Sequence, residues 1–116
     1  MMNYKLQPIG GDGQPQNGMP VEGQLCKLLV EKEKFEGKYH FIQDGVFSLT
    51  STSENQIMVC WIDSAGQLWY QKCQKYRLVG GQLYIYCGGW YHWLTHNSLV
   101  LCNEATSMKL DALPQK

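Results

Sequence analysis

Short apolar-rich runs separated by turn residues follow one another along the chain from residue 24 onward. Runs of this kind, rich in Val, Ile, Tyr and Trp, are typical of antiparallel β proteins. The pattern predicts strands at residues 25–31, 38–43, 46–51, 56–63, 67–79, 82–87, 90–95, 98–102 and 107–110. We therefore expect an all-β fold, a small antiparallel meander that forms a barrel or half-barrel of about seven to nine strands.

The clearest predicted hairpin is centred on Gly80-Gly81. Glycine supplies the positive φ that tight hairpin turns require, and Gly-Gly is a strong hairpin signal. A two-residue loop at this point places Leu78 opposite Leu83 and Tyr76 opposite Ile85. This register gives the hairpin one consistent apolar row.

Turns are also predicted elsewhere from the same signals, including one at Glu36-Gly37 and one at residues 63–66. The dipeptide Glu36-Gly37 divides the charged stretch before residue 38 from the strand that follows it. A hairpin through residues 63–66 is expected to set Trp61 across from Leu68.

The first 20 residues differ in composition from the rest of the chain. Residues 7–20 hold three of the four prolines and four glycines, which oppose regular strand pairing. We therefore divide the chain into an irregular N-terminal arm, residues 1–20, and a single β domain, residues 21–116. We expect the arm to contribute little to the core.

Residues 21–35 leave an alternative open. Leu25, Leu28 and Leu29 are spaced by three and four, and a Glu-Lys-Glu-Lys tract follows them. This spacing fits one face of a helix about as well as it fits a strand. The alternative to the all-β fold is therefore an α+β fold with one helix at about residues 21–35.

The hydrophobic content and the charge balance of the chain limit which classes of function are expected. The 116 residues are 44% hydrophobic and 17% charged, with ten basic and ten acidic side chains. A balanced charge creates no broad positive field, so we expect neither general nucleic-acid binding nor binding to a membrane. No apolar run approaches the length of a membrane span, and the N-terminus lacks a secretory pattern.

The cysteines predict a reducing, cytoplasmic environment. An odd number of widely spaced cysteines fits buried thiols better than a disulfide framework. The five positions are Cys26, Cys60, Cys73, Cys87 and Cys102.

No catalytic residue, metal ligand or cofactor is predicted. Zinc sites usually use cysteines a few residues apart, whereas the nearest pair here, Cys60 and Cys73, is separated by thirteen positions. His92 and His96 are four apart, but they fall on a strand and its turn. The chain also lacks a Gly-x-Ser-x-Gly elbow.

Aromatic residues are concentrated on the two strands at 82–87 and 90–95. Because side chains alternate between the faces of a strand, their rings are expected on both faces, more than one core face needs. Large aromatic rings dominate binding hot spots. We take the candidate binding residues to be Tyr84, Tyr86, Trp90, Tyr91 and Trp93.

The function expected from these features is a non-catalytic binding or protein-interaction module, as an accessory or inhibitory protein. Its aromatic-rich sheet face would contact a protein partner or a second copy in a homodimer. The alternative is a β-barrel that binds a small ligand, with enzymatic activity built from His92, His96 and a nearby Cys or Tyr. A cavity lined with Tyr and His would favour that alternative.

Overall fold

The computed structural model describes residues 4–16, 18–95 and 98–113, and these residues form ten strands and one short helix. The predicted all-β class is confirmed. The elements are β1 (Tyr4–Pro8), β2 (Leu25–Val30), β3 (Glu33–Gln43), β4 (Val46–Ser51), β5 (Ile57–Ile62), β6 (Leu68–Cys73), β7 (Lys75–Val79), β8 (Gln82–Cys87), β9 (Trp90–Thr95), β10 (Ser98–Leu101) and α1 (Glu104–Asp111).

The strands form two antiparallel sheets, with the orders β1-β2-β3-β4-β5-β6 and β10-β9-β8-β7. Neither sheet closes into a barrel within the described part of the chain. The chain divides into two compact units, Met1–Lys72 and Cys73–Lys116. The assignment of residues 21–116 to a single domain stays a prediction.

One face of the six-stranded sheet forms the core of the first unit. The rings of Tyr39 and Phe47 stack there with their centroids 5.4 Å apart. Lys72 on β6 lies 3.1 Å from Glu33 on β3, although β4 and β5 separate these strands in the sheet, so the sheet curls around its core. The buried residues of this cluster are Cys26, Leu28, Val30, Phe35, Tyr39, Phe47, Leu49, Met58, Cys60 and Leu68.

The predicted turn at Glu36-Gly37 is wrong, because Gly37 lies inside β3. A Cβ at Gly37 would overlap the backbone carbonyl of Thr50 on β4, so only glycine permits this close approach. The chain instead turns after β2 at Glu31, which has a positive φ of 53°. Glycine is used here for its small size and not for a turn.

The N-terminal segment contains one strand at its beginning. β1 pairs along its whole length with β2, and Leu6 packs against the core cluster. The expectation that this segment adds little to the core therefore does not hold for β1. The alternative helix at residues 21–35 is also wrong, since β2 and β3 occupy that segment with Leu28 buried and Leu29 exposed.

The second unit contains β7 to β10 and the helix. The Gly80-Gly81 hairpin has the predicted register, with Leu78 opposite Leu83 and Tyr76 opposite Ile85. The strand predicted at residues 67–79 is divided between β6 and β7, which belong to different sheets.

The strand predicted at residues 107–110 is replaced by α1. The side chain of Asn103 caps this helix by accepting a hydrogen bond from the backbone N–H of Thr106 at 2.8 Å, and Leu110 is buried. A cap of this kind satisfies an N–H group that the first helical turn leaves unpaired. No helix in the described residues is long and apolar enough to span a membrane.

Asp63 organises the turn between β5 and β6. Its Oδ1 accepts hydrogen bonds from the backbone N–H groups of Ala65 and Gln67, and its Oδ2 accepts one from Trp69 Nε1, all at 2.9 Å. The backbone N–H of Asp63 also donates to the carbonyl of Gln67 at 3.0 Å.

This pairing leaves three residues in the loop, one fewer than the predicted register requires. Leu68 consequently shares the core face with Cys60. Its predicted position opposite Trp61 is therefore wrong by one residue, because neighbouring residues on a strand face opposite ways.

We expect Gly37→Ala to destabilise the protein by roughly 1–3 kcal/mol or more, because the new methyl group must displace the backbone of β4. Urea denaturation measures this change. Gly11→Ala is the matched control, since a Cβ at Gly11 has no atom within 4 Å. Equal effects of the two substitutions would contradict the close approach at Gly37.

Acid should weaken the Asp63 turn. Hydrogen bonds from Trp69 and then from the backbone of Gln67 lower the pKa of Asp63 below its ordinary value. A lowered native pKa stabilises the fold above the ordinary pKa, and this contribution is lost as pH falls through the lowered pKa.

The test substitution is Asp63→Asn, whose amide nitrogen cannot accept the Trp69 bond. We expect the melting temperature of wild type to exceed that of Asp63→Asn at neutral pH, and the difference to shrink as pH falls below the ordinary aspartate pKa of about 4. Asp44→Asn, at another exposed turn, controls for the loss of one negative charge. A difference that stays constant with pH would refute this role of Asp63.

Candidate functional site

The five aromatic residues singled out from the sequence lie on β8 and β9 and divide between the two faces of the sheet. Tyr84 is opposite Trp93, and Tyr86 is opposite Tyr91, so these four side chains share one face. Trp90 lies on the other face, because side chains alternate along β9. The structure therefore brings four of the five residues together.

Tyr86 and Tyr91 are packed within the second unit. Tyr91 is fully buried, and its ring meets that of Tyr86 edge-on with the centroids 4.9 Å apart. Lys75 Nζ lies 4.7 Å from the centroid of the Tyr86 ring and 3.5 Å from Asp111 Oδ1 on α1. These contacts give Tyr86 and Tyr91 a structural part in holding the helix against this face.

Tyr84 and Trp93 lie farther along the same face and line a groove of about 250 Å³ in the second unit. The Tyr84 hydroxyl donates a hydrogen bond to Gln82 Oε1 at 2.8 Å, which fixes the direction of the ring. Trp93 is 38% exposed and Val100 is 46% exposed. None of the described residues that line the groove is charged, the others being Gln82, Val100, Leu101, Cys102, Asn103 and Thr106.

β10 forms one wall of this groove and the outer edge of its sheet. The backbone N–H of Cys102, just after β10, donates to the carbonyl of Tyr91 at 3.0 Å. Backbone groups on an antiparallel strand alternate in direction, so those of Leu99 and Leu101 point away from β9. No strand in the described part of the chain pairs with this edge.

A thiol and an imidazole meet on the opposite face of the same sheet. Cys87 Sγ and His92 Nδ1 lie 3.4 Å apart. Burial raises the pKa of the Cys87 thiol, which keeps it protonated at neutral pH. Within the described residues no carboxylate is hydrogen-bonded to His92, and His96, the other histidine of the alternative enzyme hypothesis, lies outside them.

The first unit has a shallow depression of about 530 Å³ between the loops at residues 9–16 and 21–25. The Gln24 side-chain amide crosses it, donating to the carbonyl of Ile9 at 3.3 Å and to Gln16 Oε1 at 3.2 Å. Its described lining residues include no aromatic, Cys or His side chain. The described lining of this depression therefore holds fewer side chains suited to ligand binding or catalysis than the groove beside Trp93.

Metal binding finds no support in the described residues. They contain no group of three or more His, Cys, Asp or Glu side chains that could hold a metal ion. All five cysteines are free thiols.

Sequence reasoning missed the helical side of the groove. Asn103 and Thr106 line it, but the end of the chain was expected to continue as a strand. The available signal was Asn103 followed by Glu104, because asparagine favours the N-cap and an acidic residue favours the first helical turn. Val100 and Leu101 were placed on a strand without being recognised as part of the site.

Comparison of the chain with protein-family models, with curated proteins and with solved structures finds no match.

Proposed function

We propose that this protein is a non-catalytic interaction module that binds an extended segment of another protein at the edge of β10. The segment adds a strand to the second sheet and places an apolar side chain in the groove beside Trp93. The observation that carries the proposal is the combination of an uncharged edge strand, unpaired by any described strand on its outer side, with an aromatic groove next to it. Strand addition of this kind takes affinity from backbone hydrogen bonds and specificity from side-chain pockets.

The composition of β10 supports this role. Proteins normally protect sheet edges with charged residues, proline or bulges, because an open edge can pair with another chain. The β10 sequence Ser98-Leu99-Val100-Leu101 contains no charged residue and no proline, and Leu101 is 60% exposed. Its short length is the one protective feature that limits pairing with random partners.

The groove favours an apolar side chain over a charged one. The described residues of its lining carry no charge that would offset the cost of removing an ionised group from water. Its aromatic walls offer large contact areas, and the volume of about 250 Å³ lies below the roughly 300–1,000 Å³ of drug-sized ligand sites. A single partner side chain suits this space better than a whole small ligand.

The Cys87–His92 contact is the one observation that favours the enzyme alternative. A thiol that turns over substrate usually has a lowered pKa, whereas burial raises the pKa of Cys87, which suits a slow, stoichiometric reaction better than catalysis. His92 also lies on the face opposite the groove, so the Tyr-lined groove and the imidazole do not form one site. These features support interaction over catalysis.

The cytoplasm is the compartment that we propose for this role. Five free thiols, two of them partly exposed, suit a reducing environment.

The test compares two substitutions on the proposed surface with one beside it. Trp93→Ala removes a wall of the groove, and Leu101→Pro removes a backbone N–H that points away from β9. Proline is tolerated at such edge positions, so the fold should survive. Trp90→Ala is the matched control, because Trp90 is 55% exposed on the same strand but faces the other way.

The probe is a displayed library of random peptides about ten residues long, screened against wild type. We expect selected peptides to be apolar and to lose about 2 kcal/mol or more of binding free energy with Trp93→Ala. Leu101→Pro should have a similar effect, and Trp90→Ala should have none. Binding that is unaffected by the first two substitutions, or a library that yields no binder, would refute the proposal.

Sedimentation of the same variants distinguishes a second copy from another protein as the partner. Self-association that is lost with Trp93→Ala and Leu101→Pro would identify a homodimer at this edge.

Tyr91→Ala should instead cost about 3–5 kcal/mol of folding stability, because it opens a cavity in the interior.

A further inference from the structure

The junction between β6 and β7 carries one extra residue where it meets β8. Lys75 is opposite Tyr86, yet the backbone N–H of Gln74 also donates to the carbonyl of Tyr86, at 3.1 Å. Two successive residues opposite a single residue form a β-bulge. Continued beyond the bulge with a shift of one residue, this register places Cys73 opposite Cys87, and Cys87 is close enough to Cys73 to affect the pKa of its thiol.

Directly opposed residues in antiparallel strands have Cα atoms about 4.5–5.5 Å apart. This separation falls inside the range of about 4.4–6.8 Å found for disulfides. The remaining element of the site is His92, whose Nδ1 lies 3.4 Å from the Cys87 sulfur. Two opposed thiols and an imidazole therefore meet on one face of the second unit.

We propose that Cys73 and Cys87 are a redox-active pair that closes a reversible disulfide on reaction with a hydroperoxide, with His92 as the proton acceptor. Cys87 is the thiol that meets the oxidant, because it is partly exposed and contacts His92. Cys73 is fully buried and is the resolving thiol.

The reaction proceeds in two balanced steps. The Cys87 proton passes to His92, and the thiolate attacks the distal oxygen of the hydroperoxide to form a sulfenic acid. The alkoxide that leaves takes the proton back from His92 and departs as an alcohol. Cys73 Sγ then attacks Cys87 Sγ, and the released hydroxide combines with the Cys73 proton to form water. Both sulfurs are oxidised and the peroxide bond is reduced.

The environment of the pair keeps both thiols protonated at rest. Burial, with a smaller contribution from nearby Cys87, raises the pKa of Cys73 to about 12. Burial also raises the pKa of Cys87. Since the thiolate is the reactive form, oxidation depends on the adjacent imidazole base.

The experiment treats the folded full chain with hydrogen peroxide and follows free thiols and intact mass. We expect two of the five thiols to disappear together with the loss of two hydrogens, and a reducing dithiol to restore both. Peptide mapping without reduction should recover Cys73 joined to Cys87. A disulfide that joins other cysteines, or the survival of all five thiols, would overturn the proposal.

Substitutions assign the separate roles. Cys73→Ser should leave Cys87 as a sulfenic acid that dimedone traps, and Cys87→Ser should protect Cys73 from oxidation. His92→Gln can still hydrogen-bond the thiol but cannot accept its proton, so oxidation should slow on the order of 100-fold. Cys102→Ser is the matched control, because Cys102 is another partly exposed thiol of the second unit.

The melting temperature of each variant establishes that it is folded before its oxidation is compared. If Cys73→Ser is unfolded, Cys73→Ala serves in its place. An unchanged oxidation rate in folded His92→Gln would remove His92 from the mechanism. Equal loss of the disulfide in Cys102→Ser would show that the oxidation is not specific to the opposed pair.

Discussion

Steric contact between β3 and β4 controls how the first sheet is built. At Gly37 the strands approach so closely that a methyl group would overlap the Thr50 backbone. Because glycine occupies this point, β3 continues from Glu33 to Gln43 and pairs with both β2 and β4. Its inward residues, Phe35 and Tyr39, lie on either side of the contact and join the same core cluster. The curled sheet and the core cluster on its inner face both require this uninterrupted strand.

Short sequence motifs correctly predicted those elements of the fold that neighbouring residues determine on their own. The register of the Gly80-Gly81 hairpin was predictable from the sequence alone, because both glycines have the positive φ that a two-residue hairpin needs. Gly37 was misinterpreted because the same residue type serves close packing, which depends on a strand that is distant in sequence. The helix α1 was missed because its end of the chain has no strong apolar period, and a side-chain cap identifies it better than hydrophobic pattern does.

For the candidate site, the sequence predicted which rings share a face of the sheet but not which of them are covered. The alternation of side chains along a strand correctly predicted that Trp90 faces away from Tyr91 and Trp93, since it follows from strand geometry. Which rings are covered depends on α1 and on the Lys75 contacts, and neither has a signal in the aromatic pattern. The opposed cysteines depend on a bulge at Gln74 that shifts the register. No local sequence signal locates such an extra residue.

The four-residue length of β10 sets the scale of what it can recognise. At about 3.3 Å per residue, a strand of this size is about 13 Å long. A partner that pairs with it therefore needs only a short linear motif in an exposed loop or tail, with one apolar residue at the correct position. Such motifs arise and disappear by single substitutions, so the proposed surface could serve several unrelated proteins in turn.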